Sequence, residues 1–194
     1  MLNAMKKLSA RVCVADALDM IEHYTSRAER LADLWVHLIG LILAGIGGIV
    51  LAVLAAVYGG IGTAVSTAVY ALCLIAMLSA STVYNLTRPS PVRPVLRRLD
   101  EAAIFLMIAG SYTPFTTQRF EGAWAIGFTL LVWSVALAGV AVKLVAPRIS
   151  DAFWSAVYIG FGWLAVLALK PMIDTVHPIA LGLLVLGGLI YTAG

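Results

Sequence analysis

Charge is what this chain lacks. From residue 34 to residue 87 there is no Asp, Glu, Lys or Arg, and over all 194 residues only 12% are charged, against about a quarter in soluble domains. With 62% hydrophobic residues and a mean hydropathy of +0.98, a water-soluble fold is excluded and a membrane-embedded one is expected. Cysteine is scarce too. Cys13 stands in the N-terminal segment and Cys73 inside an apolar run, so a disulfide framework is excluded and both read as packing residues. The first 30 residues are mixed and polar, without the continuous apolar core of a cleaved signal peptide.

What is present is a series of uncharged runs, and crossing a hydrocarbon core takes roughly 17 to 25 apolar residues. The run ending at residue 87 is split in two by the turn signal "YGGIGT", Tyr58 to Thr63; further runs cover 102–118, 122–142, 152–169 and 178–194. The fold class expected is all-α: a polytopic transmembrane helix bundle with six visible spans over 34–194, preceded by a cytoplasmic N-terminal segment over 1–33. A short cytoplasmic helix is expected from about Val14 to Leu34, where Leu18, Met20 and Ile21 mix with Asp16, Asp19 and Glu22. Gly and Ala at spacings of three and four, as in "GLILAGIGG" from Gly40 and "YIGFGW" from Tyr158, give the helices faces that pack closely. Trp35, Trp124 and Trp154 each begin a span and read as interfacial anchors. The last residues, "IALGLLVLGGLIYTAG", stop within an apolar span without a polar tail, so a further helix is expected beyond Gly194.

The cations set the orientation. If six spans alternate, eleven fall on one side: Lys6, Lys7, Arg11, Arg27 and Arg30 before the first span, Arg88, Arg93, Arg97 and Arg98 after the second, Lys143 and Arg148 after the fourth. Arg119 and Lys170 alone fall on the other. Lys and Arg in short loops stay cytoplasmic, so the N-terminus is expected inside.

Against this apolar background, polar groups collect at one place. "STVYN" closes the second span, with Ser81 and Asn85 four residues apart on one helix face and Tyr84 beside them. Asp100 heads the third span, on a stripe that continues through Ile104 and Met107 to Ser111. The short basic connection between these spans makes them antiparallel neighbours, so Ser81, Asn85 and Asp100 can converge at the cytoplasmic end. An ionisable group there is a functional candidate by default. Asp100 reads equally well as the N-cap of the third helix. Glu29, Asp33 and His37 form an i, i+4, i+8 stripe, either reaching that site or making a local acid–histidine hydrogen bond. His177 falls in a loop on the opposite side and His23 in the N-terminal segment. Asn85, Leu86 and Thr87 spell a glycosylation sequon, but on the cytoplasmic side, where the match is accidental.

The stretches "ERLADLWVHLIG" (Glu29 to Gly40), "STVYN" and "LRRLDEAAIFLMIAGSYTPF" (Leu96 to Phe115), in this order and at these distances, resemble the hemolysin III family, which is grouped with the progestin and adipoQ receptors. The resemblance runs from about Tyr24 to Gly194. It implies a seven-helix bundle with the N-terminus inside, the last helix being missing from this chain. It also implies kinship with metal-dependent hydrolases of lipid amides that hold zinc near the cytoplasmic end. In that pattern a Ser and, four residues on, a His stand on the second helix, an Asp at the start of the third, and two His on the seventh.

By position, Ser81 and Asp100 match as the catalytic groups, but the first zinc-ligand position is Asn85, whose amide oxygen is a weak ligand beside an imidazole. The residue after the Asp, often His in the family, is Glu101, a replacement carboxylate that points about 100° away around the helix. Asn85, Tyr84 and Glu101 are the expected ligand-binding residues, and zinc is the expected cofactor with an incomplete ligand set. The readings that follow are a zinc-dependent membrane hydrolase, a non-catalytic lipid-binding sensor or homeostasis protein, and, ranked last because spans one, four and six carry almost no polar residues, a pore-forming cytolysin. The expected partner is membrane lipid and not nucleic acid, and the expected location is the inner (plasma) membrane.

Overall fold

The computed structural model describes Tyr24, residues 26–145 and residues 150–193. Cys13, His23, Lys6, Lys7, Arg11, Arg148 and most of the expected Val14–Leu34 helix lie outside the described residues. Those described are helical, with no strand among them. The order is α1 (Arg27–Leu86), α2 (Arg93–Gln118), α3 (Gly122–Val145), α4 (Asp151–Gly162), a 3-10 segment (Trp163–Ala168), α5 (Leu169–Thr175) and α6 (Pro178–Ala193).

α1 starts at Arg27 because Ser26 caps it. The Ser26 hydroxyl accepts the Glu29 backbone N–H at 3.2 Å, which satisfies one of the donors a helix start leaves open. From there the helix passes without a break through Leu34, so residues 27–34 form the opening turns of the first span and not the end of a separate surface helix.

At sixty residues, α1 holds what the sequence divides into two spans. The divide is Gly60, at φ 78° and ψ −178°, a combination open essentially to glycine alone. The chain reverses there, and limbs 27–59 and 61–86 lie side by side. A Cβ placed on Gly48 would stand 2.8 Å from the Ala71 Cβ, and Gly40 faces Leu78. Small residues thus allow the close approach that the Gly pattern anticipates.

α2 packs against the second limb and against α3. Gly110 is pressed onto Cys73, whose Cβ would be 2.6 Å from a Cβ at that position. On the other side, Trp133 Nε1 donates to Thr113 Oγ1 at 3.2 Å, and Thr129 Oγ1 and Thr116 Oγ1 are in hydrogen-bond contact at 2.7 Å. α2 begins at Arg93, with Pro in its first turn and Val92 as N-cap without a side-chain cap bond. Proline suits a first turn because the N–H it lacks would be unpaired there. Asp100 therefore lies about two turns inside the helix and is not its N-cap.

The core gathers where α2, α3 and α4 meet, around Phe105, Tyr112, Phe128, Trp154, Tyr158 and Phe161. Trp154 belongs to this core at 4% exposure, whereas Trp35 and Trp124 are exposed as interfacial anchors would be. The fifth expected span is interrupted: after Gly162 the helix tightens into the 3-10 segment. Tyr112 covers the junction, its hydroxyl donating to the Gly162 carbonyl at 2.5 Å and accepting the Ala165 N–H at 2.8 Å. A helix break at membrane depth needs such a partner, because no water is present to satisfy the freed backbone groups.

Outward, the surface is apolar. Val36, Ile46, Ile49, Leu130, Leu183 and Ile190 are all exposed, the inverse of a soluble protein and a surface suited to lipid. Three stretches are long and apolar enough to cross a membrane, Arg27–Leu86, Gly122–Val145 and Asp151–Thr175, and Pro178–Ala193 is a shorter apolar helix.

The packing yields a first prediction. A methyl group at Gly139 would overlap the ring of fully buried Phe105, while one at Gly45 meets nothing within 4 Å. Gly139→Ala should destabilise the protein by about 1–3 kcal/mol through overpacking and Gly45→Ala should not. Thermal unfolding in detergent compares the two, and equal midpoints would contradict the packing described.

Candidate functional site

Closing the α1 hairpin lays the start of its first limb along the end of its second, and α2 returns beside both. Asp33 and His37 come from the first limb, Ser81 and Asn85 from the second, Asp100 from α2. His37 Nδ1 is 2.8 Å from the Asp33 backbone oxygen and 3.3 Å from Asp33 Oδ1. Its other nitrogen, Nε2, is 3.5 Å from Ser81 Oγ. The Ser81 hydroxyl is hydrogen-bonded to the Asp100 carboxylate, which also lies within electrostatic reach of His37. Asn85 Nδ2 donates to the Ser81 carbonyl at 3.0 Å and to Ser81 Oγ at 3.2 Å. An imidazole, a hydroxyl, an amide and two carboxylates thus share one half-buried place.

Tyr24 ties the chain ahead of α1 to this cluster. Its hydroxyl is 2.5 Å from Asp33 Oδ2 and 3.2 Å from the Asn85 carbonyl oxygen. With one proton to give, it favours the carboxylate, since hydrogen bonds to charged acceptors are the stronger. Burial first, and then the bond to Asp33, push the Tyr24 phenol up to about 12.

Two expected residues face elsewhere. Tyr84 is covered by Arg93, whose guanidinium carbon is 5.1 Å from the ring centroid, a cation–π contact. Glu101 is taken up by a different cluster: its carboxylate pairs with Lys143 and, at 4.0 Å, with Arg97, and its backbone oxygen accepts the Tyr158 hydroxyl at 2.8 Å. Lys143, its side chain only 5% exposed, also lies 4.6 Å from the Trp154 ring centroid. The rotation of about 100° between adjacent helix positions sends Asp100 to Ser81 and Glu101 to α3. His177 caps the start of α6, accepting the Ile179 N–H on Nδ1 at 3.3 Å.

His37 joins the cluster although the sequence leaves its destination open. The stripe of Glu29, Asp33 and His37 was visible, but only the reversal at Gly60 sets it opposite Ser81. Tyr24 carried no sequence signal, because its partners are 9 and 61 residues away.

One turn beyond Ser81 and Asp100 a cavity of about 830 Å³ opens, its walls including Met77, Ile104, Met107, Ser111, Leu184 and Tyr191. The stripe read from Asp100 to Ser111 therefore leads from the polar cluster along an apolar hollow that is half open at the helix surface.

Zinc takes four ligands in a structural site, or three and a water in a catalytic one, from His, Cys, Asp or Glu. Among the described residues no three of these converge to hold a metal. The cluster offers one imidazole, already engaged through Nδ1, the Asp33 carboxylate, taken up by Tyr24 and His37, and the Asp100 carboxylate, with an amide at position 85. These residues do not fit a zinc site.

Residues 26–194 match the family model described as Haemolysin-III related. The chain is 32% identical over 168 residues to the "Hemolysin-3 homolog" of Bacillus subtilis (strain 168), covering 86% of this chain and 78% of that protein. It is also 32% identical over 168 residues to the "Hemolysin-3" of Bacillus cereus, covering 86% and 76%.

The strap at Tyr24 can be measured. Because the folded phenol holds its proton more tightly than a free one, its contribution to stability is complete below about pH 10 and fades as pH rises towards 12. In the phenolate absorbance of the native protein, subtracting the Tyr24→Phe curve should leave a single ionisation near pH 12. A difference curve centred at pH 10 would mean that Tyr24 does not engage Asp33.

Proposed function

The chain belongs to the haemolysin-III related family, and from that premise we propose that it is an inner-membrane protein that binds a single lipid at a cytoplasm-facing intramembrane site. The lipid's polar linkage sits against Ser81, Asn85 and Asp100, and its hydrocarbon extends into the cavity. The observation that carries this reading is the junction of the two: a hydrogen-bonded polar cluster ending one turn from about 830 Å³ of largely apolar space. A lipid amide or ester has that same division, an acceptor and a donor at one end and methylenes beyond. Six membrane crossings with the N-terminus in the cytoplasm fit the two limbs of α1, the four helical stretches after it, and the gathering of cations at one set of loops.

The relatives carry the name hemolysin, but membrane lysis by a pore is less well supported. A pore needs polar groups facing a channel along several spans, and here the threonines along the helices turn their hydroxyls back to the backbone while the charged side chains of α1 and α2 stand at one end.

Two measurements test the proposal. A long-chain fatty amide carrying a photoactivatable diazirine should cross-link to residues lining the cavity, and Asp100→Ala should lower capture roughly 10-fold or more, the worth of a hydrogen bond to a charged group. Undiminished capture by the variant would refute the site. For topology, in a Cys13→Ser and Cys73→Ala background, an impermeant thiol reagent should reach Arg88→Cys only from the cytoplasmic side and Glu121→Cys only from the other. The reverse pattern would invert the orientation.

A further inference from the structure

We propose that the basic cleft between the start of α1 and the connection into α2 binds the phosphate of an anionic phospholipid, a ligand separate from the lipid of the polar cluster.

Three segments far apart in sequence bring guanidiniums to this cleft. Arg30 comes from the opening turns of α1, Arg88 from the connection after its second limb, and Arg93 from the first residue of α2, with Tyr24 and Pro89 also in the lining. Arg93 is held in place: it is 3% exposed and stands over the Tyr84 ring, 5.1 Å from the centroid. Burial and Asp33 raise the Tyr24 phenol, while the Arg30 and Arg93 charges pull against them, so those two charges converge on one side chain. Arg88 is exposed. Pro89 and Pro91 follow it in the connection and fix φ there, so the segment that carries Arg88 has little freedom to lose when a ligand arrives.

The charge at this end is strongly of one sign. Among the described residues, Asp33 is engaged by Tyr24 and His37, Asp100 faces Ser81, and Glu101 pairs with Lys143 and Arg97. That sets Glu29, exposed on the first turn of α1, against Arg27, Arg30, Arg88 and Arg98. A guanidinium is a planar fork of donors that meets two phosphate oxygens at once. Arginines gathered just outside the hydrocarbon attract anionic headgroups.

A phosphate reaches a site either free or on a lipid, and the surroundings favour the lipid. Val83, Val92 and Val95, next to the cleft in the chain, are all at least half exposed. Apolar surface for acyl chains thus adjoins the cations.

Native mass spectrometry of the full chain in detergent tests this, with phosphatidylglycerol and phosphatidylcholine as the two probes. Choline sets a cation beside its phosphate and is repelled by the cleft. One phosphatidylglycerol should bind roughly 10-fold or more tighter than phosphatidylcholine, and Arg30→Gln or Arg88→Gln should remove that preference. Arg88→Gln should keep the wild-type unfolding midpoint, since the side chain is exposed. Arg27→Gln deletes the same charge outside the cleft and should weaken binding by no more than about 5-fold, the effect of one cation near an anionic surface. Millimolar inorganic phosphate should leave the lipid bound. Equal affinity for the two lipids would overturn the proposal, as would equal losses in Arg27→Gln and Arg88→Gln, which would mean a diffuse field and no site. Displacement by inorganic phosphate would make free phosphate the ligand. Binding lost in Asp100→Ala but kept in the arginine variants would place the lipid in the apolar hollow, and either result overturns the proposal as well.

Discussion

Polar atoms at the depth of the hydrocarbon layer have no water to bond, and leaving one unpaired costs several kcal/mol. That constraint decides where hydroxyls, amides and charges stand in this chain. Thr63, Thr67, Thr82, Thr113, Thr117 and Thr129 each return their hydroxyl to a backbone oxygen of the preceding turn, so they travel in apolar helices at little cost. Where the backbone itself breaks, between α4 and the 3-10 segment, Tyr112 supplies both the donor and the acceptor. The fold tolerates irregularity only where a side chain is at hand to complete it.

The same constraint separates the charges into two groups at neighbouring positions of α2. Glu101 turns to α3 and neutralises Lys143, which is buried beneath Trp154; removing one partner of such a pair leaves an uncompensated charge, so the pair holds α2 and α3 in register. Asp100, one residue earlier, turns to the α1 hairpin, where it meets the Ser81 hydroxyl and the His37 imidazole. The first carboxylate is spent on architecture. The second faces groups that can exchange a proton, and it stands beside the cavity.

Much of this was legible in the sequence. Hydropathy showed helices and no strands, and "YGGIGT" located the reversal that Gly60 makes. The four-residue spacing of Ser81 and Asn85 did place them on one face, where they bond each other. What stayed hidden depended on contacts far apart in sequence or on which of two local signals wins. Asp100 read equally as an N-cap or as a site residue because it stands near the head of a span, yet the helix starts earlier, with Pro94 in its first turn. Trp154 looked like an interfacial anchor because it opens a span, but the rings of Phe105 and Tyr158 draw it inward. His37 had two open destinations and reaches both, since one ring nitrogen bonds its own limb of α1 and the other faces the second limb.

Asn85 shows how one side chain redirects the chemistry of the whole cluster. An imidazole at that position would bring a second nitrogen donor next to Ser81 and Asp100 and would favour a metal. The amide instead gives its N–H groups to the Ser81 carbonyl and hydroxyl. It thereby holds the serine oxygen in place and leaves His37 as the sole imidazole among the described residues of the cluster. His37 Nε2 and the Asp100 carboxylate then stand on either side of one hydroxyl that Asn85 holds in place. The amide at position 85 thus ties the second limb of α1 into a hydrogen-bonded cluster where an imidazole would present a nitrogen donor.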